Sequence, residues 1–256
     1  MAKKERIDRL LMERGFAESR ARAQALVMAG EVLAGDHRID KPGQLVDVSL
    51  PIRLKGEGLR YVSRGALKLE GALDEFGIDP RGTRCVDLGA STGGFTDLLL
   101  QRGAVAVWAV DVGYGQIHEK LRQDPRVHLF ERQNARHVTL ELLGAEAFDL
   151  AVMDLSFISL ALVLPAATQL LRPGGEMVML VKPQFEVGPQ DVGKGGVVRD
   201  PAKRQEAIDR IAAVCESLGL EVKGIVDSPI LGPAGNHEAL LWAARTAHNW
   251  RNSPKS

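Results

Sequence analysis

Four charged residues stand where strand-like apolar segments begin or end, or on the helix ahead of them. Asp154 closes residues 148–154 and runs into Leu155, Ser156 and Phe157; Lys182 closes the apolar run MVMLVK and precedes Pro183. Glu238 opens the last apolar segment after Asn236 and His237, and Lys68 lies in the helical stretch YVSRGALKLEGAL ahead of the first strand. A lysine at the end of an apolar strand is half buried. Desolvation and a neighbouring cation lower its pKa toward the value a general base needs. Singly, each of these residues reads as an ion pair or a surface charge. As two lysines and two acids at one sheet edge, they read as machinery for moving a proton.

A second signal lies upstream, in RCVDLGASTGGFTDLLL. A buried strand, residues 85–88, runs into Gly89, Ala90, Ser91, Thr92, Gly93 and Gly94, and then into a helix that begins near Phe95. Small residues let the backbone approach a ligand closely, and the helix start offers unpaired N–H groups. Asp111, 22 positions after Gly89, closes the next strand and suits a ribose diol. In an open α/β sheet the ligand sits at the carboxyl ends of the strands, at the switch point. The dinucleotide fingerprint G-x-G-x-x-G needs a glycine where Ser91 stands, so a pyrophosphate is disfavoured. The pattern D-x-G-x-x-x-G-G with a downstream acid resembles instead an S-adenosylmethionine methyltransferase. On that resemblance Gly89, Ala90, Ser91, Gly93, Gly94, Phe95 and Asp111 are the cofactor candidates, with Asn134 for the adenine end.

The elements that must position these residues are readable. From Tyr61 onward strands at 84–88, 105–111, 127–130, 148–154, 176–182, 221–228 and 238–244 alternate with helices at 64–76, 94–101, 160–171 and 202–218. Such alternation means βαβ units and a mainly parallel, doubly wound sheet. The last two strands have no helix between them and predict an antiparallel hairpin at one end. The first sixty residues differ: they carry 12 Lys/Arg against 9 Asp/Glu, a net +3. A helix over 6–14 stops at Gly15, a second over 20–28 takes Ser19 as N-cap and Gly30 as stop, and short extended pieces with turn residues follow, EVLAGDHRID, KPGQLV and DVSLPIRL, with a hairpin among them. A glycine-containing linker, residues 55–59, separates this module from the larger one. The tail, residues 245–256, is polar and is expected to fray.

Composition narrows the field. The chain has 256 residues, 45% of them hydrophobic, with 33 Lys+Arg against 33 Asp+Glu. That is a core-forming globular protein, with net charge arguing against nucleic-acid binding by overall charge but not by a local patch. Two cysteines, Cys85 and Cys215, support neither a disulfide framework nor a four-thiolate zinc site. The histidines show no ligand spacing, since His237–Glu238 lacks the second histidine of H-E-x-x-H, so no metal is expected. The charged start has no apolar core of a secretory signal, and no apolar stretch approaches the roughly 20 residues that span a bilayer. A cytoplasmic protein is the expectation.

Lys68, Asp154, Lys182 and Glu238 match, in order and context, the K-D-K-E tetrad of FtsJ-like ribose 2′-O-methyltransferases. With YVSRGALKL, DLGASTGGFTD, DVGYGQ, MDLSFISL, VKPQFEVG and NHE, the chain more narrowly resembles the TlyA family. These are rRNA cytidine-2′-O-methyltransferases whose members also bear the name haemolysin. The resemblance covers nearly the whole chain, because that family carries an N-terminal S-four-type RNA-binding module and residues 6–30 resemble its pair of helices. One departure is Ala66, where SRGGLKL is expected.

The resemblance implies a Rossmann-like class I methyltransferase fold with a seven-stranded sheet, plus a small α+β RNA-binding domain. Its divisions are 1–58 for the RNA-binding domain and linker, 59–248 for the methyltransferase domain and 249–256 for the tail. It implies S-adenosyl-L-methionine as cofactor and ribosomal RNA in ribosomal subunits as partner, with no membrane required. Within the tetrad, Lys182 is read as the residue that deprotonates or polarises the 2′-hydroxyl. Lys68 holds down its pKa, Glu238 positions the lysines and Asp154 orients Lys182. Arg6, Arg9, Arg20, Arg22 and Arg64 are the RNA-binding candidates, suited to phosphate contacts. The long glycine-rich loop 183–201, with Lys194 and Arg199, is either a cover over RNA or a surface loop. The alternatives are a non-catalytic ribosome-assembly factor and a membrane-active haemolysin.

Overall fold

The computed structural model describes residues 4–14, 16–17, 19–35, 37–54, 60–232 and 234–246. The Gly15 helix stop, the 55–59 linker and the 249–256 tail lie outside the described residues. The chain divides into two compact units, Met1–Arg60 and Tyr61–Ser256.

In the first unit, β1 (Lys4–Arg6) leads into α1 (Ile7–Glu13), then α2 (Arg20–Met28). The Ser19 hydroxyl accepts from the Arg22 N–H at 3.2 Å and caps α2, while Gly30 takes a left-handed φ of +69° beyond its end. Four short strands follow: β2 (Val32–Ala34), β3 (His37–Arg38), β4 (Leu45–Asp47) and β5 (Ile52–Leu54). β1 pairs with β4, and β2 lies between β3 and β5, all antiparallel. Helices this short are marginal alone. They hold because Ile7, Leu10 and Leu11 pack with Leu26 and Val27 over Val32, Ile39, Val46 and Ile52. The expected hairpin is β2–β3, and β4 and β5 fall within the expected extended pieces KPGQLV, DVSLPIRL; β1, three residues long, is too short to leave an alternating pattern.

The second unit begins with α3 (Ala66–Phe76), β6 (Arg84–Leu88), α4 (Gly94–Gln101), β7 (Ala106–Val110), α5 (Glu119–Arg122), β8 (Val127–Phe130) and α6 (Leu140–Leu143). It continues through β9 (Phe148–Met153), α7 (Leu164–Leu170), β10 (Leu171–Val181), α8 (Pro183–Glu186), α9 (Pro201–Ser217), β11 (Leu220–Asp227) and β12 (Ala239–Arg245). The seven-stranded sheet runs β11-β12-β10-β9-β6-β7-β8. Six strands run in one direction and only β12 is reversed, antiparallel to both β10 and β11. This is the methyltransferase-like arrangement, with the end hairpin inserted beside β10. Period-two alternation sends Cys85, Val107 and Val152 to one face against Leu69, Leu73 and Leu98. Val86, Leu88, Trp108 and Met153 go to the other, against Leu164, Ile208 and Ile211.

Three expectations change. The helix read over 160–171 is a 3₁₀ turn, Leu160–Leu162, followed by α7, which stops at Leu170 because Leu171 already pairs with Phe148 of β9. The strand read over 176–182 therefore starts five residues earlier, with a register shift between Leu171 and Glu176 spanning Pro173, Gly174 and Gly175. The loop 183–201 is not structureless: it holds α8, a 3₁₀ turn at Pro189–Asp191 and a bridge between Gly193 and Val197. Among the described residues no helix is long and apolar enough to cross a membrane.

Candidate active site

Sheet register assembles the tetrad's edge. Leu88 of β6 pairs with Val110 and with Met153, so Gly89, Asp111 and Asp154 emerge side by side at the carboxyl ends of neighbouring strands. Val181 pairs with Ala239, which sets Lys182 and Glu238 at the same edge. The chain turns outward in opposite directions from β6 and β9, and the crevice lies there.

A cavity of about 480 Å³ fills that crevice, lined by Gly89, Ser91, Asp111, Gln116, Asn134 and Asp154 among others. Beside it lies a smaller one of about 80 Å³, lined by Ser63, Gly65, Ala90, Gly94, Phe95 and Asp154 with others. Gly89, Ser91 and Asp154 border both. Gly89 is required: its φ is +92° and a Cβ there would stand 2.7 Å from the Asp154 carbonyl oxygen. Gly93 lines neither cavity's wall; it lies against Leu121 and Ile117 and starts α4.

The Asp111 carboxylate accepts from the Ser91 N–H at 2.8 Å and the Gly113 N–H at 2.7 Å. It thereby holds Ser91 at a φ of +48°, a conformation that a residue with a side chain seldom adopts. Each carboxylate oxygen keeps a further lone pair for a donor from the cavity. Asn134 caps the 3₁₀ turn Ala135–His137 and is exposed at the cavity. The segment ahead of α3 is pinned from below: buried Asp97 accepts from the Val62 N–H at 2.8 Å and from Lys120 at 3.1 Å. That places Ser63 and Gly65 at the smaller cavity.

The tetrad forms two ion pairs. Lys68 Nζ donates to Glu238 Oε2 at 2.5 Å, with both side chains buried. Lys182 Nζ lies 2.6 Å from Asp154 Oδ1 and donates to Ser156 Oγ at 2.9 Å. The Asp154 contact is ionic and off the hydrogen-bonding direction. Glu238 Oε1 is buried with no hydrogen-bond partner among the described residues and faces Gly232, where a Cβ would stand 2.4 Å away. Lys182 is therefore oriented by Asp154, and Glu238 meets Lys68.

Several residues take their place only in the structure. Ser63 and Gln116, each inside a recognised motif but not singled out there, line the cavities. Phe157 sits at a φ of +64° and is 91% exposed, its ring 5.2 Å from that of Phe185. Asp87, beneath the glycine loop, is fully buried and accepts from Thr96 Oγ1 at 2.7 Å. Burial pushes its carboxyl up to about 7, with the Thr96 bond pulling the other way. From its ordinary value of 3.8 up to about 7, the folded chain keeps a proton that the unfolded chain has released. This contribution to stability is whole below that window and lost as pH rises through it. Thermal melts should therefore show wild type losing stability relative to Asp87→Asn, which cannot titrate, as pH rises from about 4 to about 7. A difference independent of pH would contradict the assignment.

The basic candidates divide. In the first unit, Arg6 and Arg20 both donate to the buried Asp8 carboxylate, Arg6 at 3.0 and 2.8 Å and Arg20 at 3.2 Å. Arg6 holds that carboxyl well below the ordinary range, against the effect of burial. Arg9 lies between Glu5 and Glu13, and Arg22 is exposed. Arg64 belongs to the second unit, between Ser63 and Gly65. Among the described residues no group of three or more His, Cys, Asp or Glu side chains converges as a metal site would.

Residues 61–245 match the FtsJ-like methyltransferase family, and residues 5–52 match the S4 domain. The chain belongs to the FtsJ-like methyltransferase family. Its relatives put it in the TlyA branch. It is 48% identical over 243 residues, 94% of this chain and 90% of the relative, to the 16S/23S rRNA (cytidine-2′-O)-methyltransferase TlyA of Mycobacterium tuberculosis (strain ATCC 25618 / H37Rv). It is 49% identical over 240 residues, 94% of this chain and 85% of the relative, to YqxC of Bacillus subtilis (strain 168), a candidate rRNA methyltransferase. Among solved structures, a candidate hemolysin from Streptococcus thermophilus superposes with a TM-score of 0.74 at 44% identity, covering 96% of this chain and 90% of that one. This FtsJ-like methyltransferase thus combines a catalytic-type unit with an S4-type unit.

Proposed function

We propose that the protein methylates the 2′-hydroxyl of a cytidine in ribosomal RNA, with S-adenosylmethionine as methyl donor. The observation that carries this reading is Asp154, which lines the ligand cavity while its carboxylate holds Lys182 at 2.6 Å. One residue joins the cavity to the lysine assigned to the hydroxyl proton. The names of the relatives from Mycobacterium tuberculosis and Campylobacter jejuni support cytidine and the ribose oxygen.

The larger cavity fits a nucleoside-sized ligand, since such sites hold roughly 300–1,000 Å³. Asp111 is suited to a ribose diol, Asn134 to the adenine end, and Gly89, Ala90, Ser91, Gly94 and Phe95 to the remainder, with Gly93 setting the start of α4. Ser63 and Gln116 join them. S-adenosylmethionine, when bound, supplies a methyl group already activated on a sulfonium sulfur. The protein must then align a ribose hydroxyl, a poor nucleophile at neutral pH, and take its proton. Lys182 receives or polarises that proton, Asp154 and Ser156 aim Lys182, and the buried Lys68–Glu238 pair builds the adjoining wall. Phe157 offers an exposed ring on which a base can stack. We assign residues 1–58 to RNA binding and 59–248 to methyl transfer. In the first, Arg6 and Arg20, aimed by Asp8, meet phosphates together with Arg9 and Arg22; Arg64 does so from the second.

The cofactor reading has a direct test. Titration calorimetry should show S-adenosylmethionine binding to wild type, weakened about tenfold or more in Asp111→Ala, which loses a charged acceptor worth about 1.5–3 kcal/mol. Equal affinity in the two proteins would count against the ribose contact. RNA carrying 2′-deoxycytidine at the target should bind and remain unmethylated.

A further inference from the structure

We infer that Glu186 is a positioning residue that locks the Asp154 loop to the turn carrying Lys182. Glu186 ends α8, four residues after Lys182, and its side chain is buried. Its carboxylate accepts from Ser159 Oγ at 2.6 Å, from the Leu160 N–H at 2.7 Å and from Arg210 Nη2 at 2.7 Å. Ser159 and Leu160 close the loop that starts at Asp154. The two segments are therefore fastened three times over. Lys182 meets Asp154 and Ser156 at one end, the rings of Phe157 and Phe185 meet midway, and Glu186 holds Ser159 and Leu160 at the other.

Burying a carboxylate costs free energy that an apolar residue in the same seam would not. What the carboxylate adds is direction: two acceptor oxygens fix where the 154–160 loop sits relative to α8. Arg210, on α9 and half exposed, supplies the countercharge. Phe157 keeps a left-handed backbone within this clamped loop, a conformation that persists only where its surroundings over-determine it.

The kinetic arm of the test rests on the methyl-transfer reading. Glu186→Gln keeps an acceptor for the Leu160 N–H, so it should fold. At saturating RNA and S-adenosylmethionine, Glu186→Gln and Ser159→Ala in the full chain should each lower kcat about tenfold, below the hundredfold that a 1 Å misplacement can cost. The double variant should be no worse than either single one, because both break one clamp. An unchanged kcat in Glu186→Gln, or a double variant about a hundredfold down, would overturn the inference. Hydrogen exchange gives an arm independent of chemistry: amides 155–160 should exchange faster in Glu186→Ala than in wild type. If wild type transfers no methyl group, the functional reading fails while this arm still decides the clamp. Unchanged exchange there overturns it.

Discussion

Lys182→Ala should lower methyl transfer by about 10²–10⁴, the range over which a positioned acid or base contributes, while S-adenosylmethionine still binds as in wild type. The split follows from geometry. Lys182 is held by Asp154 and Ser156 at the edge of the crevice but is not itself among the residues bordering the cofactor cavity. Its loss removes the group proposed to handle the hydroxyl proton and leaves the pocket's glycine loop and Asp111 in place. Single-turnover transfer to RNA, with cofactor binding measured on the same preparation, separates the two effects. Turnover within a few-fold of wild type would remove Lys182 from the chemistry. A lost cofactor affinity would instead make it a binding residue.

Glu238→Ala should destabilise the fold by about 3–5 kcal/mol, because it leaves the Lys68 ammonium buried without its partner. At 2.5 Å and with both side chains buried, this pair is shielded from bulk solvent. The double replacement Lys68→Met, Glu238→Leu should recover most of that loss, since apolar residues of similar volume substitute for a buried pair at little net cost. It should nevertheless remain inactive, as the proposed wall beside Lys182 has lost both charges. Urea unfolding of the three proteins measures the first point and a transfer assay the second. A Glu238→Ala cost below about 1 kcal/mol, the level of an exposed pair, would contradict the burial argument.

Much of the second unit was legible because its central strands are buried on both faces. Runs such as RCVDL and FDLAVM bear a strand signal with no competing period, and β6, β8 and α4 match their expected bounds residue for residue. Places where the chain does something local were not legible. The segment from Leu160 has helical composition throughout, yet Leu171 joins the sheet because Phe148 offers it a partner. β1 and β4 exist only by pairing with each other. The tetrad residues could be named because each follows or precedes an apolar run, but their pairing could not: Lys68 with Glu238 and Lys182 with Asp154 depend on sheet order. Asp87 was legible as the first residue of D-x-G-x-x-x-G-G, but the roles of Glu186 and Asp8 stayed hidden because a buried acid looks like a surface one until its donors are seen. The left-handed Phe157 has no sequence signature at all, since the backbone angle is imposed by the loop around it.

The most direct measurement is nucleoside analysis of ribosomal subunits lacking the modification, after incubation with the full chain and labelled S-adenosylmethionine. Label recovered as 2′-O-methylcytidine, and absent with Lys182→Ala, is the result expected here. Label on a base would contradict the ribose mechanism and the part given to Lys182. No label on either subunit, with the cofactor demonstrably bound, would turn the chain into an RNA-binding assembly factor.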